Sequence, residues 1–175
     1  MNLYVEVAME FELKAVSPEA VARALAKADR YRLLNEPGEA ESICRDALRV
    51  EPDNQEVLIT LVLALTDQFD HEPSTVVEAS ATVGRLRDEY QRAYYTGIVA
   101  ERRAKARLRH GTPGAGHQAY EWLRDAMSSY EKADAIRPAA NDDARLRWNA
   151  CARLIMHNRH LVPIGDERGE PLLLE

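Results

Sequence analysis

Cysteine is scarce in this sequence: two residues in 175, Cys44 and Cys151. Both fall on apolar faces of helical pattern, where buried free thiols are expected rather than a disulfide or redox pair. Long apolar runs are also missing. The longest, residues 57–65, is far short of the ~20 residues a membrane span needs. Cations do not outnumber acids. Lys and Arg total 23 against 29 Asp and Glu, a formal charge of −6, so there is no global case for nucleic acid. The first residues show no basic flank before an apolar core, so no signal peptide is expected, and the cytoplasm is the expected compartment.

Catalytic and metal-binding patterns are missing as well. Of the histidines His71, His110, His117, His157 and His160, only the last two could share a helix face. Zinc needs three or four ligands, and no nearby Asp, Glu or Cys completes a set. The stretch from His110 to His117 is rich in glycine but lacks the Gly-Lys-Ser/Thr ending of a phosphate loop and a preceding strand, so it reads as a flexible connection. Cys151 lies three residues after Trp148 on an inner face, which favours a core thiol over a nucleophile. No cofactor, no metal and no enzymatic activity are expected.

What is present is a spacing. Residues 21–54 form a 34-residue unit with Ala28 and Tyr31 on one predicted helix, Ala40, Cys44 and Ala47 on the next, and Pro52 closing it. Ala126, Tyr130, Ala133 and Pro138 repeat the intervals of Ala40, Cys44, Ala47 and Pro52. A second spacing follows each of three prolines. Pro18 to Ala28 to Tyr31, Pro52 to Val62 to Leu65, and Pro138 to Trp148 to Cys151 each run ten residues, then three more. This resembles the tetratricopeptide repeat, a 34-residue helix–turn–helix with small-x-x-Tyr on one helix, Ala-x-x-x-aromatic on the next and a closing Pro. Cys44 stands in place of the aromatic, and Ala24 in place of the leading Trp. A closer resemblance, over residues 18–158, is carried by Tyr94-Tyr95-x-Gly97-Ile98-x-x-Glu101-Arg102-Arg103-Ala104-Lys105-Ala106, by Ala119-Tyr120-Glu121-Trp122, and by Asn141-Asp142-Asp143 running into Arg147-Trp148-Asn149-Ala150-Cys151-Ala152-Arg153. It looks like a group of small bacterial tetratricopeptide-repeat proteins of undefined activity. It implies a fold and a bacterial source, and no reaction.

The expected fold is all-α: three antiparallel helix pairs plus a C-terminal capping helix, after a non-helical N-terminal segment. Residues 1–16 form an N-terminal extension. Alternation from Leu3 to Leu13 has the period of a half-buried strand, with helix as the rival reading and disorder left open. Ser17 and Pro18 are read as the cap and first turn of a helix reaching about residue 34. Further helices are expected at 37–50, 57–69, 75–87, 88–110, 118–136 and 142–158. The domain covers 17–158, and an extended tail covers 159–175. Trp148 is expected to be a buried packing residue.

In such arrays the first helix of each pair lines the concave side. One step off the packing residues lie Tyr94, Ile98, Glu101 and Arg102 on the fifth helix, and Arg145, Asn149 and Arg153 on the seventh. Arginine forks carboxylates and tyrosine anchors cheaply in entropy. The expected function is therefore a protein-interaction module or scaffold holding a protein or peptide partner, acidic in character, in a concave groove through Tyr94, Arg102, Arg145, Asn149 and Arg153. The alternative is nucleic-acid or anionic-surface binding by the basic stretch 102–109, where six cations from Arg92 to Arg109 face one acid, Glu101. A membrane is not an expected partner; a homodimer is left open.

Overall fold

A computed structural model describes residues 11–163. After a 3-10 turn at Pro18–Ala20, seven α-helices follow: α1 Val21–Leu33, α2 Pro37–Val50, α3 Gln55–Asp67, α4 Thr75–Gly84, α5 Glu89–His110, α6 Ala115–Ala135 and α7 Asp143–His157. There is no strand among the described residues. The strand expected over residues 3–13 falls mostly outside them. Its last residues, 11–13, lie in exposed irregular chain.

The breaks have local causes. Asn35 takes a left-handed conformation, φ 60°, which asparagine tolerates, and Pro37 then opens α2 at a position that needs no N–H. The Asn54 side chain accepts from the Val57 N–H at 3.1 Å and starts α3 two residues earlier than expected. The Asp88 carboxylate likewise accepts from the Gln91 N–H at 2.7 Å and caps α5. Left-handed Gly111 ends α5, and left-handed Gly114 releases α6 at Ala115, so the glycine connection is shorter than the sequence suggests. Ser17 makes no cap hydrogen bond; it precedes the 3-10 turn. At the start of α7 it is Asn141, not the cap Asp142, whose side chain accepts a backbone N–H, that of Asp143 at 3.0 Å.

Each helix packs on the next, and α1, α3 and α5 also touch in turn; the most extensive contact is between the two long helices α5 and α6. Gly97 makes that contact possible. A Cβ there would collide with the buried Tyr130 ring. Two apolar cores result. One surrounds α3, whose buried residues Val57, Leu58, Leu61, Val62, Ala64 and Leu65 face neighbours on most sides. The other lies among α5, α6 and α7 and includes Leu123, Met127, Tyr130 and Cys151. The predicted packing residues Ala28, Ala40, Cys44, Ala47, Ala126, Tyr130 and Ala133 are all buried. After α7 the chain turns back over the start of α6. Leu161 is buried there, and the His117 ring donates from Nδ1 to the Val162 carbonyl at 2.9 Å. The beginning of the expected extended tail, to residue 163, thus packs against α6.

Candidate functional site

The five residues expected in a groove occupy different settings. Tyr94 is half-buried among aromatics, stacked on Tyr90 at 5.9 Å between ring centroids, edge-on to Tyr95 at 5.2 Å and tilted against Tyr130 at 5.9 Å. Burial pushes its phenol up to about 12. Arg102 is an ion-pair partner of Asp67 and donates to Thr66 Oγ1 at 2.7 Å. Asp67 also takes Arg32 at 2.9 Å, so one carboxylate ties α1, α3 and α5 together. Arg145 donates to Asp134 at 2.7 Å and lies 3.6 Å from Asp142. Asn149 and Arg153 are exposed. Arg145 and Asn149 do share a hollow, about 260 Å³, between α6 and α7, with Trp148, Tyr130, Glu131 and Asp134. Arg102, Tyr94 and Arg153 do not line it.

Glu101 and Ile98, expected at the same surface, are buried instead. Glu101 is 0% exposed and sits at the junction of three helices. Its Oε2 accepts from the Tyr130 hydroxyl at 2.7 Å, and its Oε1 takes Lys105 Nζ at 2.5 Å. Arg147 Nε on α7 approaches Oε2 to 3.1 Å. That N–H makes no hydrogen bond among the described residues, so the contact is one of charge rather than a formed hydrogen bond. A buried carboxylate is expensive unless paired and hydrogen-bonded, and here two cations and a phenol compensate it. Trp148, expected to be fully packed, is half-buried, with its indole N–H donating to Glu131 at 2.9 Å.

The basic stretch of α5 divides in two. Arg102 pairs with Asp67, Lys105 with Glu101 and Arg109 with Asp70. Arg103 and Arg107 have other surroundings. The Arg103 guanidinium lies 3.8 Å from the centroid of the Trp122 ring, close enough for a cation–π contact. Arg107 Nε is buried with no hydrogen-bond partner among the described residues. Both line a groove that runs between α4 and α6 over α5. It consists of two adjoining hollows of about 490 and 580 Å³ that share Val76, Ser80, Arg103 and Trp122. Val77, 77% exposed, lies on its rim. The sequence signal for this groove was weak: an outward valine on α4, and Arg103 and Trp122 on helices whose spacing depends on the fold.

Burial pushes the thiols of Cys44 and Cys151 up to about 12, with nearby carboxylates, Asp29 for the first and Glu101 for the second, adding to it. Neutral thiols are poor nucleophiles and metal ligands. Among the described residues no three His, Cys, Asp or Glu side chains are grouped to hold a metal ion, and no helix is long and apolar enough to cross a membrane. Compared with protein-family models, curated proteins and solved structures, the chain matches none.

Proposed function

We propose that this chain is a protein-interaction module, built as a short tetratricopeptide-like array, that holds an acidic and partly apolar segment of a protein partner in the α4–α6 groove. One observation carries the reading. Of the cations at 102–109, those turned away from the groove already have carboxylates, whereas Arg103 and Arg107, which line it, have none among the described residues. Their neighbours Val76, Val77 and Trp122 supply apolar surface. Charged forks beside aromatic and aliphatic walls suit alternating acidic and apolar side chains. The repeat reading is supported by the recurring spacing, by the burial of its small residues, and by the side-by-side placement of α1, α3 and α5.

This places the site on the opposite choice of residues from the sequence expectation. The hollow at Arg145 and Asn149 also contains Glu131 and Asp134, which oppose an anionic ligand. Tyr94, Arg102 and Arg145 serve helix packing in this reading. A fluorescein-labelled twelve-residue peptide of alternating Glu and Leu, titrated by anisotropy, tests it. Saturable binding should fall at least ten-fold in Arg103→Glu/Arg107→Glu, since a charge-assisted hydrogen bond contributes roughly 1.5–3 kcal/mol, while the circular-dichroism melt holds. Equal binding by the variant would reject the groove. A single-stranded oligonucleotide that binds more tightly, with a steep salt slope, would favour the nucleic-acid alternative.

A further inference from the structure

We infer that the partner segment enters this groove as an amphipathic α-helix, not as an extended strand. The inference rests on the groove reading above and deepens it by fixing the shape of the ligand and the order of its residues. Three observations carry it. The first is that the groove offers an extended backbone little to bind. Such a backbone needs partners for the N–H and C=O groups it turns toward the protein. The hydroxyl protons of the groove are already committed. Ser80 donates to the Val76 carbonyl at 2.9 Å, Thr96 to that of Arg92 at 2.8 Å and Ser129 to that of Asp125 at 3.0 Å. The walls are helices, whose backbone groups are closed on one another. Among the described lining residues only Gln118 brings a side-chain amide, and it stands at one end. A helix satisfies its own backbone and presents side chains alone.

The second observation is the floor. Both α4 and α6 pack on α5, and no extensive contact joins α4 to α6 among the described residues. Between them α5 contributes Thr96, Val99, Ala100 and Ala106, all short side chains. Short side chains allow the approach of about 8–10 Å between axes at which helices pack. The third is spacing. From Gln118 to Ser129 along α6 the groove is about 16 Å long at 1.5 Å per residue. That is room for about eleven helical residues but only about five extended ones. Five extended residues turn two or three side chains to one face, too few to meet both arginines and both walls. Three helical turns carry a full apolar stripe for Val76 and Trp122 with acids along its border. Arg103 and Arg107 are one turn apart on α5, about 6 Å along its axis, and carboxylates four residues apart on a helix laid beside α5 recur at the same interval. Asp125 lies toward the Ser129 end and repels anions there, so the acids of the segment belong to the turns beside the two arginines. This is recognition of a helix in a groove.

The test uses the full chain and two fluorescein-labelled twelve-residue peptides of the same composition, half Glu and half Leu. One alternates strictly. The other has leucine at its first, fourth, fifth, eighth, eleventh and twelfth positions, the stripe of an amphipathic helix. In anisotropy titrations the helical order should bind at least ten-fold more tightly than the alternating one. Proline in place of the glutamate at its sixth position keeps every leucine but breaks a helix interior, and should undo that gain. Arg103→Glu/Arg107→Glu should weaken the helical-order peptide at least ten-fold while the circular-dichroism melt holds. Equal or tighter binding of the alternating peptide, still lost in the double variant, overturns the inference and leaves the function reading standing. So does a proline peptide that binds as well as its parent. Helical-order binding that the double variant does not weaken puts the helix elsewhere on the protein and overturns both. No saturable binding of either peptide rejects the function reading and the inference with it.

Discussion

The two ends of the molecule are held by different physics. Around α3 the core is aliphatic, with charges kept at its rim: Arg32 with Asp67, and Arg45 with Glu41 and Glu78. Among α5, α6 and α7 a carboxylate sits at the centre, 0% exposed, wired to Tyr130, Lys105 and Arg147. Aliphatic burial is strong but undirected; each buried CH₂ contributes about 0.8 kcal/mol whatever it touches. A buried carboxylate is satisfied only where its partners stand at the right place. The buried carboxylate of the second region thus fixes which faces of α5, α6 and α7 meet.

The largest effects should come from removing the centre of each region. Glu101→Ala strips Arg147 and Lys105 of their shared partner and leaves a cavity beside Tyr130. Breaking a buried pair costs up to about 3–5 kcal/mol, less the part that Lys105 and Arg147 recover, since their side chains are 38% and 32% exposed and can turn to water. Leu58→Ala, at a fully buried site, should cost about 2–5 kcal/mol. Both tryptophans, Trp122 and Trp148, lie in the second region, so their fluorescence in a urea titration reports that region. The expected outcome is a larger fluorescence shift for Glu101→Ala, and an ellipticity shift for Leu58→Ala that exceeds its fluorescence shift. Coincident shifts for both variants would show one cooperative unit and erase the distinction.

High pH sharpens the comparison. The thiols of Cys44 and Cys151 are raised from 9.0 to about 12 by burial. Between those values the unfolded chain releases protons that the folded chain keeps. The stabilisation is therefore present in full below pH 9 and is lost as pH rises toward 12, by roughly 1.4 kcal/mol per pH unit for each group. One cysteine lies in each region. The second region adds Tyr94, raised by burial from 10.0 to about 12, and Tyr130, raised further by burial and by Glu101. The urea midpoint read by fluorescence should fall more steeply above pH 10 than that read by ellipticity. Parallel slopes would mean that the buried phenols do not titrate with unfolding.

Trp148 marks the boundary of what the sequence could show. The proline-to-packing spacing located Ala28, Val62, Leu65 and Cys151 because burial on one helix face follows a local period. The same spacing put Trp148 inside, yet it is half-buried, with its N–H on Glu131 of α6. Spacing finds the face but not how completely the neighbour covers it. Glu101 was illegible for a related reason. One acid in a basic run looks like a solvated face until Tyr130 and Arg147 arrive from other helices. The ion pairs of Arg102 and Arg145 with Asp67 and Asp134 join residues of different helices, and the α4–α6 groove is lined by residues of three helices whose approach no local spacing encodes. Trp148→Ala should accordingly lower stability by less than the ~3–5 kcal/mol of a fully buried aromatic. A loss of that full size would show the indole to be more deeply packed than its exposure indicates.

The smallest effect concerns how each region turns its chain. Among the described residues, two other than glycine adopt left-handed backbone: Asn35 at φ 60° between α1 and α2, and Ala140 at φ 62° between α6 and α7. Asparagine visits this conformation with the help of its short polar side chain, whereas an L-residue such as alanine gives up about 1–2 kcal/mol there. Glycine removes that penalty, but its looser unfolded chain returns about 0.4–1 kcal/mol. Ala140→Gly should therefore stabilise by no more than about 1 kcal/mol, a rise in Tm of roughly 2–4 °C at most for a chain of this size. Asn35→Gly starts from a smaller penalty and should gain less or lose slightly. The pair is compared in one calorimetric series. The Ala140 variant need only rise above the Asn35 variant. A fall for Ala140→Gly would mean that the turn, held by Arg137 donating to the Asn141 carbonyl at 3.4 Å, stores no backbone strain for glycine to relieve.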